Sequence, residues 1–158
     1  MTIRSPRVAA SAGIAAALIS CASPPPKPTQ LTGSIQVAAQ VNPNSGNRPS
    51  PLLLRVYELK AVAAFNGAAF AALYEHDTTE LGADLVGREE YVLAPGETKG
   101  FSKTLSPDTH FLGVIGAFRD FDHSRWRSVV AVDPKKNQQV VIKAAGLAID
   151  TAVTTAAK

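Results

Sequence analysis

Leu52-Leu53-Leu54-Arg55-Val56-Tyr57-Glu58-Leu59, followed by the stretch from Ala61 to His76, decides the fold, because the hydrophobic period changes between the two. The first run is apolar at both parities, which is the composition of a strand covered on both faces. In the second, Val62, Phe65, Phe70, Leu73 and Tyr74 stand among alanines at spacings near three and four, which predicts a helix. Gly67 weakens its middle. A two-piece helix is therefore expected, with Asn66 as the cap of Gly67 to Tyr74 and a further turn from Thr79 to Leu85.

Outward from this stretch the pattern is β. From Ser34 to Val41, Ile35, Val37, Ala39 and Val41 alternate with Ser34, Gln36, Ala38 and Gln40, a half-buried strand. Asn42-Pro43-Asn44-Ser45-Gly46-Asn47-Arg48-Pro49-Ser50-Pro51 is built of turn formers and strand breakers, and is expected as an exposed loop. After the helix, short strands recur at roughly ten-residue spacing, the rhythm of a sandwich or barrel. They are Val86 to Leu93, Phe101 to Leu105, Phe111 to Phe118, Trp126 to Val132 and Gln138 to Ile142, with turns at Ala94-Pro95-Gly96-Glu97 and Ser106-Pro107-Asp108. One all-β domain over 32–143, with a helical insertion at about 61–85, accounts for the pattern. Its expected interior is Ile35, Val37, Leu52, Leu54, Val56, Leu93, Phe111, Ile115 and Trp126. Residues 144–158 are small and weakly patterned, expected to add an edge strand near Leu147 to Asp150 or to fray.

The N-terminus carries Arg4 and Arg7 and then an apolar stretch from Val8 to Ile19 that is too short to span a bilayer, which is the build of a secretory signal. It ends at Leu18-Ile19-Ser20-Cys21, which resembles a bacterial lipobox, and Cys21 is the only cysteine. The expected mature chain is cut before Cys21 and acylated on its thiol. The competing reading is an unpaired thiol beside an ordinary cleavage site at Ala22-Ser23. With no Asp after the cysteine, the resemblance to lipoproteins implies sorting to the outer membrane, with the body in the periplasm. Consecutive prolines from Pro24 to Pro28 make residues 21–31 an extended stalk.

Removing residues 1–20 leaves 138 of 158 residues, enough for one domain with a genuine core. The formal charge of +3 fades with the signal: sixteen Lys and Arg less Arg4 and Arg7 leave fourteen, against thirteen acidic residues. Lys135-Lys136 and the Arg125, Arg127 pair are too short to track phosphates, so no nucleic-acid partner is expected.

Little in the chain reads as catalysis. His76, His110 and His123 stand far apart with no ligand spacing, so no metal or cofactor is expected. Asp120 and Asp122 beside His123 admit a hydrolytic reading but fit a solvated turn better. Ser45 and Ser102 lack a nucleophile elbow, and Gly113 and Gly116 fall inside a strand. Trp126 between Arg125 and Arg127 reads as a core residue with arginines turned outward.

Several of these strings stand together in one further pattern: Leu18 to Cys21; Val41-Asn42-Pro43 with Gly46 to Pro51; Arg55-Val56-Tyr57-Glu58-Leu59; Phe70-Ala71-Ala72-Leu73-Tyr74; Leu81-Gly82-Ala83-Asp84-Leu85; Leu93 to Glu97; and Ala117-Phe118-Arg119-Asp120 leading to Trp126-Arg127. In this the chain resembles the outer-membrane lipoproteins of bacterial type VI secretion, the TssJ family, over nearly all of the mature domain. The resemblance implies a transthyretin-like two-sheet β-sandwich with a helical excursion after the second strand. It implies a non-catalytic adaptor that tethers the periplasmic C-terminal domain of the inner-membrane component TssM to the outer membrane, with TssL completing the membrane complex. The contact element it implies is the loop between strands one and two, here Asn42, Pro43, Asn44, Ser45, Gly46, Asn47, Arg48, Pro49, Ser50 and Pro51. Gly46-Asn47-Arg48-Pro49 has one residue more than the Gly-Arg-Pro of many relatives. The alternative is a periplasmic transthyretin-like lipoprotein that binds or processes a small ligand, which requires a pocket joining His110, Asp120 and His123.

Overall fold

The computed structural model describes residues 30–155. Eight strands form two four-stranded sheets: β1 (Gln30–Val41), β2 (Leu52–Leu59), β3 (Leu85–Leu93), β4 (Thr98–Thr104), β5 (Phe111–Gly116), β6 (Arg127–Ala131), β7 (Gln138–Gly146) and β8 (Ala148–Thr155). One sheet has the order β4-β1-β7-β8 and the other β3-β2-β5-β6. Among these eight strands, β1 and β7 alone pair in parallel.

The sandwich interior follows from the period of two. Leu31, Ile35, Val37 and Val41 of β1 and Val140, Ile142 and Ala144 of β7 face Leu52, Leu54 and Val56 of β2 and Leu112 and Val114 of β5, all buried. β2 is covered on its other face as well, since Tyr57 and Leu59 pack with Ile115 beneath the helical insertion. The insertion is α1 (Ala63–Gly67) and α2 (Phe70–Leu81), which seat Phe65, Leu73 and Leu81 against that outer face. Close approach of α1 requires Gly113, because a Cβ there would stand 2.7 Å from the Phe65 ring.

A buried ionic network pins the insertion. Asp77, on α2, accepts from Arg55 Nη1 at 3.2 Å, the Tyr57 hydroxyl at 3.2 Å and Arg88 Nη1 at 2.5 Å. Burial works against ionisation of Asp77, but Arg88 and Arg55 outweigh it and hold the carboxyl below its usual range. Burial also pushes the Tyr57 hydroxyl up to about 12, against the pull of Arg55.

Five expectations need correction. β1 begins at Gln30, and Leu31 is fully buried, so the sheet starts inside the segment expected as stalk. The second helix does not stop at Tyr74 with a separate turn after it: His76 is non-helical at φ −135°, but the helix resumes through Leu81, with buried Asp77 anchoring the following turn. Asn66 is no cap, since α2 opens at Ala69 without a side-chain hydrogen bond. Phe111 and Trp126 are only half-buried, and Ile115 belongs to the layer under the helices rather than to the sandwich interior. β7 runs on to Gly146, and β8, paired along its whole length with β7, occupies most of the expected tail.

Candidate functional site

The loop between β1 and β2 folds on itself before any partner arrives. Asn42 is buried in the left-handed region at φ 48°, a conformation that asparagine tolerates. Its side chain ties the loop's two ends to the domain: Nδ2 donates to the Pro51 carbonyl at 2.8 Å, and Oδ1 accepts the Arg119 amide at 2.8 Å. Ser50 is also buried, and its amide donates to the Val41 carbonyl at 3.1 Å. Asn44 organises the tip. Its Oδ1 accepts the amides of Gly46 at 2.9 Å and Arg48 at 3.0 Å, while its own amide donates to the Arg48 carbonyl at 2.9 Å.

Within the ten residues of the expected contact element, Asn42 and Ser50 are therefore structural and Pro43 is half-buried, against the expectation of an exposed loop throughout. Asn44, Ser45, Gly46, Asn47, Arg48, Pro49 and Pro51 are exposed. Beside the loop lies an open cleft of about 560 Å³, walled by Pro43, Asn44, Ser45 and Asn47 on one side and by Arg119, Asp120 and Leu147 on the other. Sequence reasoning missed Arg119 as a loop neighbour, and the one trace of it is the Phe118-Arg119-Asp120 string. Neither Arg48 nor Arg119 has a carboxylate within ion-pair distance among the described residues.

The groups considered for catalysis do not converge. His110 precedes β5 and Asp120 with His123 follows it, so they lie at opposite ends of that strand. Asp120 and His123 pair with each other at 2.7 Å in an exposed turn, and this hydrogen bond raises the imidazole above its ordinary value. Ser45 and Ser102 are both exposed and lie at different places in the sandwich. Cys21 and Pro24 to Pro28 lie outside the described residues. Among those residues no helix is long and apolar enough to cross a membrane.

The comparisons with known proteins agree with this geometry. Residues 29–146 match the family model described as type VI secretion lipoprotein, VasD, EvfM, TssJ. No curated protein matches significantly. The fold is similar to the type VI secretion lipoprotein TssJ1 from Pseudomonas aeruginosa at 35% identity and a TM-score of 0.78, over 82% of this chain and 99% of that one. It is also similar to Serratia marcescens Lip, a membrane-bound component of the type VI secretion system, at 24% identity and a TM-score of 0.72, over 79% and 98%. A further match, to a chain of the structure described as the TssM C-terminal domain (869–1107) from EAEC, has 22% identity and a TM-score of 0.65, over 78% and 97%. The residue pattern, the sandwich with its helical excursion, the family model and the Pseudomonas relative coincide: this chain belongs to the type VI secretion lipoprotein family, the TssJ family.

Proposed function

We propose that this protein is the outer-membrane tether of a type VI secretion membrane complex. Acyl chains on Cys21 hold it at the periplasmic face of the outer membrane, and the loop from Asn42 to Pro51 docks the periplasmic C-terminal domain of TssM, the inner-membrane component, with TssL completing the complex. The observation that carries this is the loop itself, which is closed by its own hydrogen bonds and presents Arg48 with no carboxylate partner among the described residues. A pre-ordered loop loses less conformational entropy on association, and a guanidinium offers a planar fork of donors to a partner carboxylate. β1 separates the two tasks. The run from Gln30 to Val41, at about 3.3 Å per step, puts the anchored end roughly 35 Å from the loop that follows Val41.

The filled sandwich interior, with the polar groups beside the loop lying in an open surface cleft, supports the non-catalytic reading. Calorimetric titration of the mature chain against the TssM periplasmic domain tests it. Arg48→Glu is expected to weaken binding by about a hundredfold with an unchanged melting temperature. An unchanged affinity would remove the loop as the docking element. Fatty-acid labelling that persists in Cys21→Ser would remove the anchor.

A further inference from the structure

Three large apolar side chains are exposed among the described residues, Tyr74, Val92 and Phe121, and two of them belong to one stack. The Phe70 ring lies between Tyr74, at 5.4 Å between centroids and 16° between planes, and Phe121, at 5.1 Å and 18°. Trp126 meets Phe70 edge-on at 5.2 Å from beneath. Tyr74 and Phe121 are 38% and 41% exposed, so the stack keeps ring surface in water that a core would have taken up.

The stack is held from behind. The Arg127 guanidinium stands 4.6 Å from the Trp126 ring, and its Nη1 donates to the carbonyls of Phe65 at 2.6 Å and Ala68 at 3.0 Å, which fixes the link between α1 and α2 against β6. On the other side, the Ser124 hydroxyl and amide both donate to the Phe121 carbonyl, at 2.9 and 3.1 Å, and set the turn that carries the ring. That turn also reaches the docking loop. Three residues before Ser124 stands Phe121, and two before that is Arg119, whose amide is bound by Asn42 and whose side chain walls the cleft. The stack and the loop thus share one segment at one end of the sandwich, the end away from Gln30.

We propose that the Tyr74–Phe70–Phe121 stack is a second contact surface for the partner engaged by the loop from Asn42 to Pro51, and that it receives an apolar side chain of that partner. This rests on the loop's being the docking element. The Arg55 guanidinium lies over the Tyr74 ring at 5.2 Å and Phe70 is covered by both its neighbours, so the free ring face is that of Phe121, flanked by the Tyr74 edge. A rigid ring held in this way makes contact area at little entropic cost, and aromatic residues are among those that dominate binding energy. A lipid surface is a poor occupant, because the membrane anchor enters at the opposite end of β1. Contact with a second copy of this chain is an outcome of the test.

The test uses the full mature chain and the TssM periplasmic domain, with melting temperature measured for every variant. Phe121→Ser is expected to weaken calorimetric affinity about tenfold or more, whereas Phe121→Leu stays within about threefold, and neither alters melting. Hydrogen exchange in the complex is expected to slow at residues 70–74 and 119–124. Unchanged affinity in Phe121→Ser, with Arg48→Glu still weakened, would overturn the stack while sparing the loop. Unchanged affinity in both would overturn the two together. Self-association of the chain alone, or flotation with lipid vesicles, that is lost in Phe121→Ser while TssM affinity is kept, would overturn the assignment in favour of that occupant.

Discussion

The two ends of the sandwich handle charge in opposite ways. At the end near Gln30, the Lys103 ammonium lies between the sheets, 2.6 Å from Glu58 and 2.7 Å from Glu89, with its side chain 14% exposed and that of Glu58 10%. Thr109 donates to Glu58 at 2.8 Å, and Tyr91 donates its hydroxyl to Glu89. Burial opposes protonation of Lys103, but the two glutamates outweigh it and raise the ammonium above its ordinary value. Each charge in that cluster answers another within the chain. At the loop end, Arg48 and Arg119 are exposed and answer none among the described residues. Charge that is buried must be matched internally or the fold suffers; charge left over at the surface is donor capacity for another molecule.

The largest effect expected from breaking this contrast comes from Lys103→Met. It leaves Glu58 buried without its cation, which costs about 3 kcal/mol and lowers the melting temperature by about 10 °C. TssM affinity per folded molecule stays where it was, because the change is at the other end. Calorimetry and thermal melting of one preparation check both halves. A variant that melts normally but binds poorly would place the partner at the closed end.

Residues that obey a period were legible from the sequence, and residues that obey a partner were not. The alternation from Ser34 to Val41 and the switch after Leu59 gave the sandwich and its helical excursion, because burial repeats at the spacing of the backbone. β8 was not legible. Ile149 is its one fully buried side chain, and its Ala and Thr residues carry no hydrophobic contrast. Asp77 was hidden for the opposite reason, a carboxylate on a buried helix face that its distant partners Arg55, Tyr57 and Arg88 explain. At the site, the prolines and asparagines marked a loop. Nothing local distinguishes Asn42, which locks it, from Asn47, which is exposed, since the Arg119 amide comes from the turn after β5, seventy-seven residues on.

Acid should attack the two buried ionic clusters. Hydrogen bonds from Lys103 and Tyr91 hold Glu89 below its usual range, and Asp77 is likewise depressed in the folded chain. A carboxylate with a depressed folded pKa contributes stability that is fully present above its unfolded value, about 4 for these residues, and is lost as pH falls through the folded value. Melting temperature is therefore expected to be flat from neutral pH to about 5 and to fall steeply below about 4. Lys103→Met should shallow that fall, since it removes part of the linkage. An acid slope identical to that of the parent would mean that Glu89 owes nothing to Lys103.

A smaller effect is expected at the loop tip. Asn44→Ala removes the acceptor for the Gly46 and Arg48 amides, in an exposed place where water replaces it. Global stability then changes by about 0.5 kcal/mol or less, while TssM affinity falls about fivefold because the freed loop must be ordered on binding. Equal affinity of the variant and the parent would show that the tip is ordered by the partner and not in advance.

The smallest expected effect concerns His123, and it bears on the turn that links the loop to the aromatic stack. The hydrogen bond that the imidazole donates to Asp120 raises it above the ordinary 6.5, with further help from the charges of Asp120 and Asp122. A base with a raised folded pKa contributes stability that is fully present below its unfolded value and is lost as pH rises through the folded one. Both groups face solvent, so the melting temperature should move only slightly between pH 6 and 8. The imidazole proton resonance is the sharper observable: its titration midpoint should lie above 6.5 and return toward it in Asp120→Asn. A midpoint at 6.5 in the parent would mean that the turn is not closed in solution. Phe121, which lies between Asp120 and His123, would then lose one of the braces that set its ring against Phe70.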